Sequence, residues 1–139
     1  MKPFFYLVLL TAAACGVKHS SVDYGKTTVS DLIAAKGEPV REMKIPVKNS
    51  KVLFYEENEK FQVKGDVVTH GFKDPKGDEK TLLFWKHKFK DCDTQTKKIS
   101  VPKGHELPEY ELKCPSEGVT VIYTEGSEFV SRVIEHEKN

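Results

Sequence analysis

The apolar residues of this chain change their period once, and that change sets the fold class. Between Gly25 and Pro39, Val29, Leu32 and Ile33 recur at helical spacing, so three apolar side chains share one face of a short helix. Thr28 is suited to cap its N-terminus, with Asp31 three positions on as a capping-box partner. Gly37 suits the left-handed position after the last turn, and Pro39 stops continuation. Beyond Pro39 the period falls to two. Residues 52–55, 61–64, 67–70, 82–89, 110–114, 119–123 and 129–134 read as strands. Gly65-Asp66 has the form of a two-residue primed turn, a strong hairpin signal. One helix ahead of a run of strands predicts an α+β fold, a short helix packed on a small antiparallel sheet of about five to seven strands.

The N-terminus lies outside this pattern. Met1-Lys2 supplies one charge, residues 3–10 are unbroken apolar, and Thr11-Ala12-Ala13-Ala14 is a run of small residues ending at Cys15. That order is the order of a secretory signal, and the apolar run is too short to span a bilayer. An ordinary signal cleaved near Ala14 and a buried first strand are the alternatives. A cysteine directly after Ala-Ala-Ala and before Gly16 resembles a bacterial lipobox, with Ala12 standing where leucine is usual. The resemblance implies that 1–14 is a lipoprotein signal peptide and that Cys15 carries diacylglycerol and an N-acyl chain. Residues 15–24 would then be a lipidated tether to a single domain over 25–139. Two or three acyl chains anchor a protein stably where one holds it only marginally. Gly16 in place of the inner-membrane Asp signal points to the outer membrane, with the domain facing the periplasm.

At 139 residues the chain suits one domain. Of its 22 lysines and arginines one, Lys2, lies in the leader, so 21 face 21 carboxylates. A mature net charge of about zero carries no electrostatic footprint for nucleic acid. With Cys15 acylated, Cys92 and Cys114 remain as a pair in an oxidising compartment, which favours a disulfide. The competing use is a metal site drawing on His87 and His105. Neither C-x-x-C nor H-x-x-x-H spacing occurs, so no metal and no cofactor is expected.

Catalytic motifs are missing at the level of spacing. Gly25-Lys26-Thr27 looks like the end of a P-loop, but Ser20 stands where its first glycine belongs. There is no G-x-S-x-G, no H-E-x-x-H and no cysteine beside a histidine. A non-enzymatic role is expected. If 82–89 is a strand, Lys86, Lys88 and Lys90 share one face and Trp85, His87 and Phe89 the other. Three ammonium groups in a row suit anionic lipid headgroups; a solvated, edge-protecting face is the commoner use of such lysines. Trp85 and Tyr110, with Tyr55 and Phe61, are candidate contact aromatics, equally suited to a core. Tyr55-x-Glu57-x-x-x-Phe61 is echoed by Tyr123-x-Glu125-x-x-x-Phe129, which either a duplication or two similar hairpins would produce.

Gly25, Thr27 or Thr28, Val29, Leu32, Gly37, Pro39, Tyr55 and the hairpin from Phe61 to Val68 together resemble the BamE/SmpA/OmlA group of small outer-membrane lipoproteins. The resemblance covers residues 22–72, leaving 80–139, with its two cysteines, unmatched. It implies the fold of the β-lactamase inhibitor protein, short helices on a small antiparallel sheet. It also implies a binding role: an accessory of outer-membrane assembly or maintenance, held to the membrane by lipid and contacting another envelope protein by a sheet face or edge. The alternative is a periplasmic enzyme-inhibitor or ligand-binding module that uses hairpin tips such as Gly65-Asp66 or Gly126-Ser127.

Overall fold

The computed structural model describes residues 22–99, 103–104 and 107–139. The leader, Cys15 and most of the tether lie outside the described residues, as does His105. The first helix, α1 (Val29–Lys36), forms as the spacing predicts. The Thr28 hydroxyl accepts from the Asp31 N–H at 3.2 Å, and the Asp31 carboxylate accepts from the Thr28 N–H at 3.4 Å. Gly37 ends the helix at φ +84°, a backbone conformation that favours glycine.

Four strands follow: β1 (Arg41–Ile45), β2 (Ser50–Phe54), β3 (Lys60–Lys64) and β4 (Val67–Lys73). A second helix, α2 (Leu82–Lys88), then leads into β5 (Gln95–Ile99), β6 (Glu109–Cys114), β7 (Val119–Thr124) and β8 (Val130–His136). All eight strands form one antiparallel sheet in the order β1-β2-β3-β4-β8-β7-β6-β5. The α+β class and the Cys92–Cys114 disulfide stand. The expected count does not: among the described residues there are two α-helices rather than one, and eight strands rather than five to seven.

Both discrepancies have physical causes. The run at 82–89 is helical because Thr81 caps it, its hydroxyl accepting from the Phe84 N–H at 3.4 Å. Trp85 and Phe89, four apart, then drop into the core on one side. A contiguous apolar run has no visible period, and its aromatic content mimics a strand. Strands β1 and β5 are the sheet's two edges, and in each of them four residues in five are exposed. They therefore lack the apolar alternation by which strands are read.

The strand order is mirror-like about the central β4–β8 pair, so the chain is two helix-plus-four-strand units related by a pseudo-twofold axis. Details repeat. Thr28 bridges to Val67 at the start of β4, and Thr81 bridges to Phe129 just before β8. Pairing shifts register between Gln62 and Val63 in one unit and between Ile122 and Tyr123 in the other. Leu32 and Trp85 sit four residues after each threonine and are buried. The Tyr-x-Glu echo compares β2–β3 with β7–β8, whereas the structural equivalent of β7–β8 is β3–β4.

Each helix builds its own core. Leu32 packs with Tyr24, Leu53, Phe61, Val63 and Val68. Trp85 packs with Phe89, Leu112, Val121 and Val133, and Cys114 of the disulfide is fully buried there. A polar seam joins the two: the Tyr24 hydroxyl donates to Glu135 on β8 at 3.2 Å, and Lys73 lies 3.2 Å from the same carboxylate.

Candidate functional site

Cross-strand register assigns every strand side chain to a face. Leu53, Phe61, Val63, Val121 and Val133 point to the helices, so both helices cover one face. Among the described residues no helix covers the opposite face. Along it Arg41, Phe54, Lys60, Phe72 and Ile134 are successive partners across five strands. The adjacent row is Met43, Val52, Gln62, His70 and His136. Neighbours in each row are about 4.8 Å apart along the hydrogen-bonding direction.

The middle of this face is hollow. Ile122 points to it and is 2% exposed, yet it belongs to neither core. A depression of about 590 Å³ is lined there by Gln62, His70, Phe72, Lys113 and His136, with Gly25 at its margin. Hydrogen bonding fixes the histidine tautomers. The Thr69 hydroxyl donates to the Gln62 carbonyl at 3.2 Å, so His70 Nδ1–H donates to Thr69 Oγ1 at 3.0 Å. His136 Nδ1–H donates to the Glu137 carbonyl at 3.0 Å, and its Nε2 accepts from Thr120 Oγ1 at 3.0 Å. Burial, and then the neighbouring His136 and Lys113, hold the His70 imidazole below the ordinary histidine range. Glu111 and Glu137 line the hollow beside Lys113, so its charges are mixed, and both histidine Nδ1–H donors are already engaged.

A second depression of about 840 Å³ lies on the helix side, between the end of α1, the β2–β3 turn and the β4–α2 connection. Its three lysines each meet a carboxylate of the lining, while Glu38, Glu56 and Asp74 have no cationic partner among the described residues. Lys36 meets Glu59 at 2.7 Å, Lys76 meets Glu57, and Lys73 lies 3.8 Å from Glu79. Tyr55 donates to the Gly37 carbonyl at 3.0 Å, and burial followed by Glu38 and Glu59 raises its pKa. Asn58 Nδ2 donates to Asp74 at 2.9 Å. These contacts brace the turn against the connection.

The residues singled out from sequence fall apart in space. Trp85 is 2% exposed, and its indole N–H donates to the Glu79 carbonyl at 2.7 Å, so it offers a partner no surface. Lys86, Lys88 and Lys90 are exposed, but on and just after α2. Residues two apart on a helix differ by about 200° around its axis. The row expected of a strand therefore does not exist; Lys88 lies 5.2 Å over the Trp85 ring instead. Tyr110 is half-buried, stacked on Tyr123 with centroids 5.8 Å apart, its hydroxyl 3.3 Å from Glu125. Cys92 and Cys114 are bonded to each other, and among the described residues no group of three His, Cys, Asp or Glu is placed to hold a metal ion.

Sequence reading missed the open face. Its signal was present in β3, where burying Phe61 and Val63 leaves Lys60, Gln62 and Lys64 on the other side. Arg41 and Phe72 could be added only once the register was known.

No family model matches the chain, and no curated protein does. A solved structure shares its fold. The crystal structure of a DUF4309 family protein (YjgB) from Bacillus subtilis subsp. subtilis str. 168 superposes with a TM-score of 0.52. The match covers 86% of this chain and 84% of that one, at 14% identity. At that identity the likeness concerns architecture alone.

Proposed function

We propose that this protein is a lipid-anchored, periplasm-facing interaction module of the bacterial cell envelope, acting by binding rather than catalysis. One architectural observation carries the reading: both helices are spent on one face of an eight-stranded sheet, so among the described residues no helix covers the opposite face and no strand pairs with the outer side of either edge. An uncovered edge offers backbone donors and acceptors to an added strand. On the β5 side the Cys92–Cys114 bond ties the chain just before the edge strand to the end of β6. The leader and Cys15 supply the anchor, and the likeness of residues 22–72 to the BamE/SmpA/OmlA group supplies the expectation of a partner in outer-membrane assembly or maintenance.

Two measurements on cells test this. Mass spectrometry of the mature N-terminus should find Cys15 acylated; an unmodified cysteine or an intact leader overturns the anchor. Photocrosslinkers placed along β5 should capture an envelope protein. Capture of a soluble hydrolase from hairpin tips such as Gly65-Asp66 instead would favour the inhibitor reading.

A further inference from the structure

The open face is electrostatically lopsided. Within β1–β4 the single carboxylate is Glu42, and it points to the helix side, where Lys51 lies 3.5 Å away. Arg41, Lys60 and Lys64 point the other way, and no ion pair among the described residues involves them. On the β5–β8 half, Glu109 and Glu111 balance most of the cations, and Glu109 accepts from Arg132 at 3.1 Å. A chain of near-zero net charge has therefore gathered an unneutralised cationic field on one half of one face.

That half is also ordered for contact. Phe54 stands between two cations, with the Arg41 guanidinium 4.0 Å and the Lys60 ammonium 5.7 Å from its ring centroid. One ring thus gathers both charged groups, and neither has a carboxylate partner among the described residues. Met43, 49% exposed, and the half-buried Val52 stand in the adjacent row, and the half-buried Phe72 flanks Lys60. Cations over aromatic and aliphatic side chains suit the boundary between lipid headgroups and acyl chains. The ring of Phe54 is already covered by cations, which disfavours stacking of nucleobases.

Chain geometry points the same way. Gly25 borders the hollow on this face and lies only ten positions after Cys15, a reach of at most about 35 Å. Given the tethered arrangement proposed above, we infer that the β1–β4 half of the open face, through Arg41, Lys60 and Lys64, docks on the anionic lipid surface to which the chain is anchored. Docking there leaves the β5 edge free for a protein partner.

The test uses the full chain carrying Cys15→Ala, so that no acyl group contributes, with sedimentation on phosphatidylcholine vesicles with and without phosphatidylglycerol. The phosphatidylcholine arm registers whatever the apolar leader adds. Adding Arg41→Gln, Lys60→Gln and Lys64→Gln should weaken partition onto the anionic vesicles by roughly a hundredfold. The same charge change at Lys86, Lys88 and Lys90 should weaken it by less than tenfold, with near-ultraviolet circular dichroism confirming that both variants are folded. Equal losses from the two triple variants, or binding unaffected by either, overturn the inference. So does binding to polyglutamate in preference to the vesicles, which would assign the face to an acidic protein. Because the assayed chain has no Cys15, its result stands apart from the acylation measurement, and the two can fail separately.

Discussion

The hydroxyl of Tyr24 donates to Glu135, 111 residues away on the other unit's last strand, and in doing so it lies directly over Gly71. A β-carbon at Gly71 would collide with that hydroxyl. Gly71→Ala should therefore destabilise the fold by roughly 1–3 kcal/mol, read from urea unfolding. Tyr24→Phe, combined with it, should restore part of the loss. A Gly71→Ala protein as stable as the parent would remove Tyr24 from this role.

Alkaline stability follows from the same bond. Burial, and then the Glu135 charge, push the Tyr24 hydroxyl far above the ordinary tyrosine pKa of about 10. Above that pH an unfolded tyrosine releases its proton while the folded one keeps it, so the unfolded state binds fewer protons and stability falls as pH rises. The fall should begin near the unfolded value and be shallower in Tyr24→Phe. Identical slopes in the two proteins above pH ~10 would contradict it.

Acid stability has a contribution of the opposite sense at His70. Its pKa lies below the ordinary histidine value of about 6.5 because of burial and of His136 and Lys113. Below that value the unfolded chain binds the proton first, so this contribution is present above it and lost as pH falls. Proton NMR should show His70 titrating below a free histidine, and Lys113→Gln should move it upward. A His70 titration indifferent to Lys113 would remove that lysine as a cause of the shift.

Replacing both Cys92 and Cys114 by alanine opens a crosslink spanning 22 positions and should cost about 3 kcal/mol. Hydrogen exchange should locate the loss in β5, β6 and α2 while α1 and β2–β4 stay protected. Uniform loss across both units would mean that the two cores melt as one.

Trp85 is the protein's single tryptophan and is buried. Its emission should be blue-shifted and should move to the red only when the second unit unfolds. Trp85→Ala should cost about 3–5 kcal/mol. A red emission in the folded protein would place the ring back at the surface.

Local rules carried the sequence reading as far as they reach. The α1 cap at Thr28 and Asp31, the Gly37 stop, the β3–β4 hairpin and the cysteine pair each depend on residues whose chemistry is complete within a few positions or by simple counting. What stayed hidden depends on distant neighbours. Leu82–Lys88 becomes helical because Thr81 caps it and a core waits for Trp85 and Phe89. Gln95–Ile99 is a strand because β6 holds it by backbone bonds, to which side-chain pattern is blind. The cationic row is legible only after register unites Arg41 and Lys60, nineteen positions apart, on either side of Phe54.

The seam strand of each unit is its last, and the strand left at the rim is its first. A third unit would need a terminal strand to receive it, and both terminal strands are already married to each other. Duplication in this architecture is self-limiting: it closes at two and yields a finite plate, where a solenoid would go on growing.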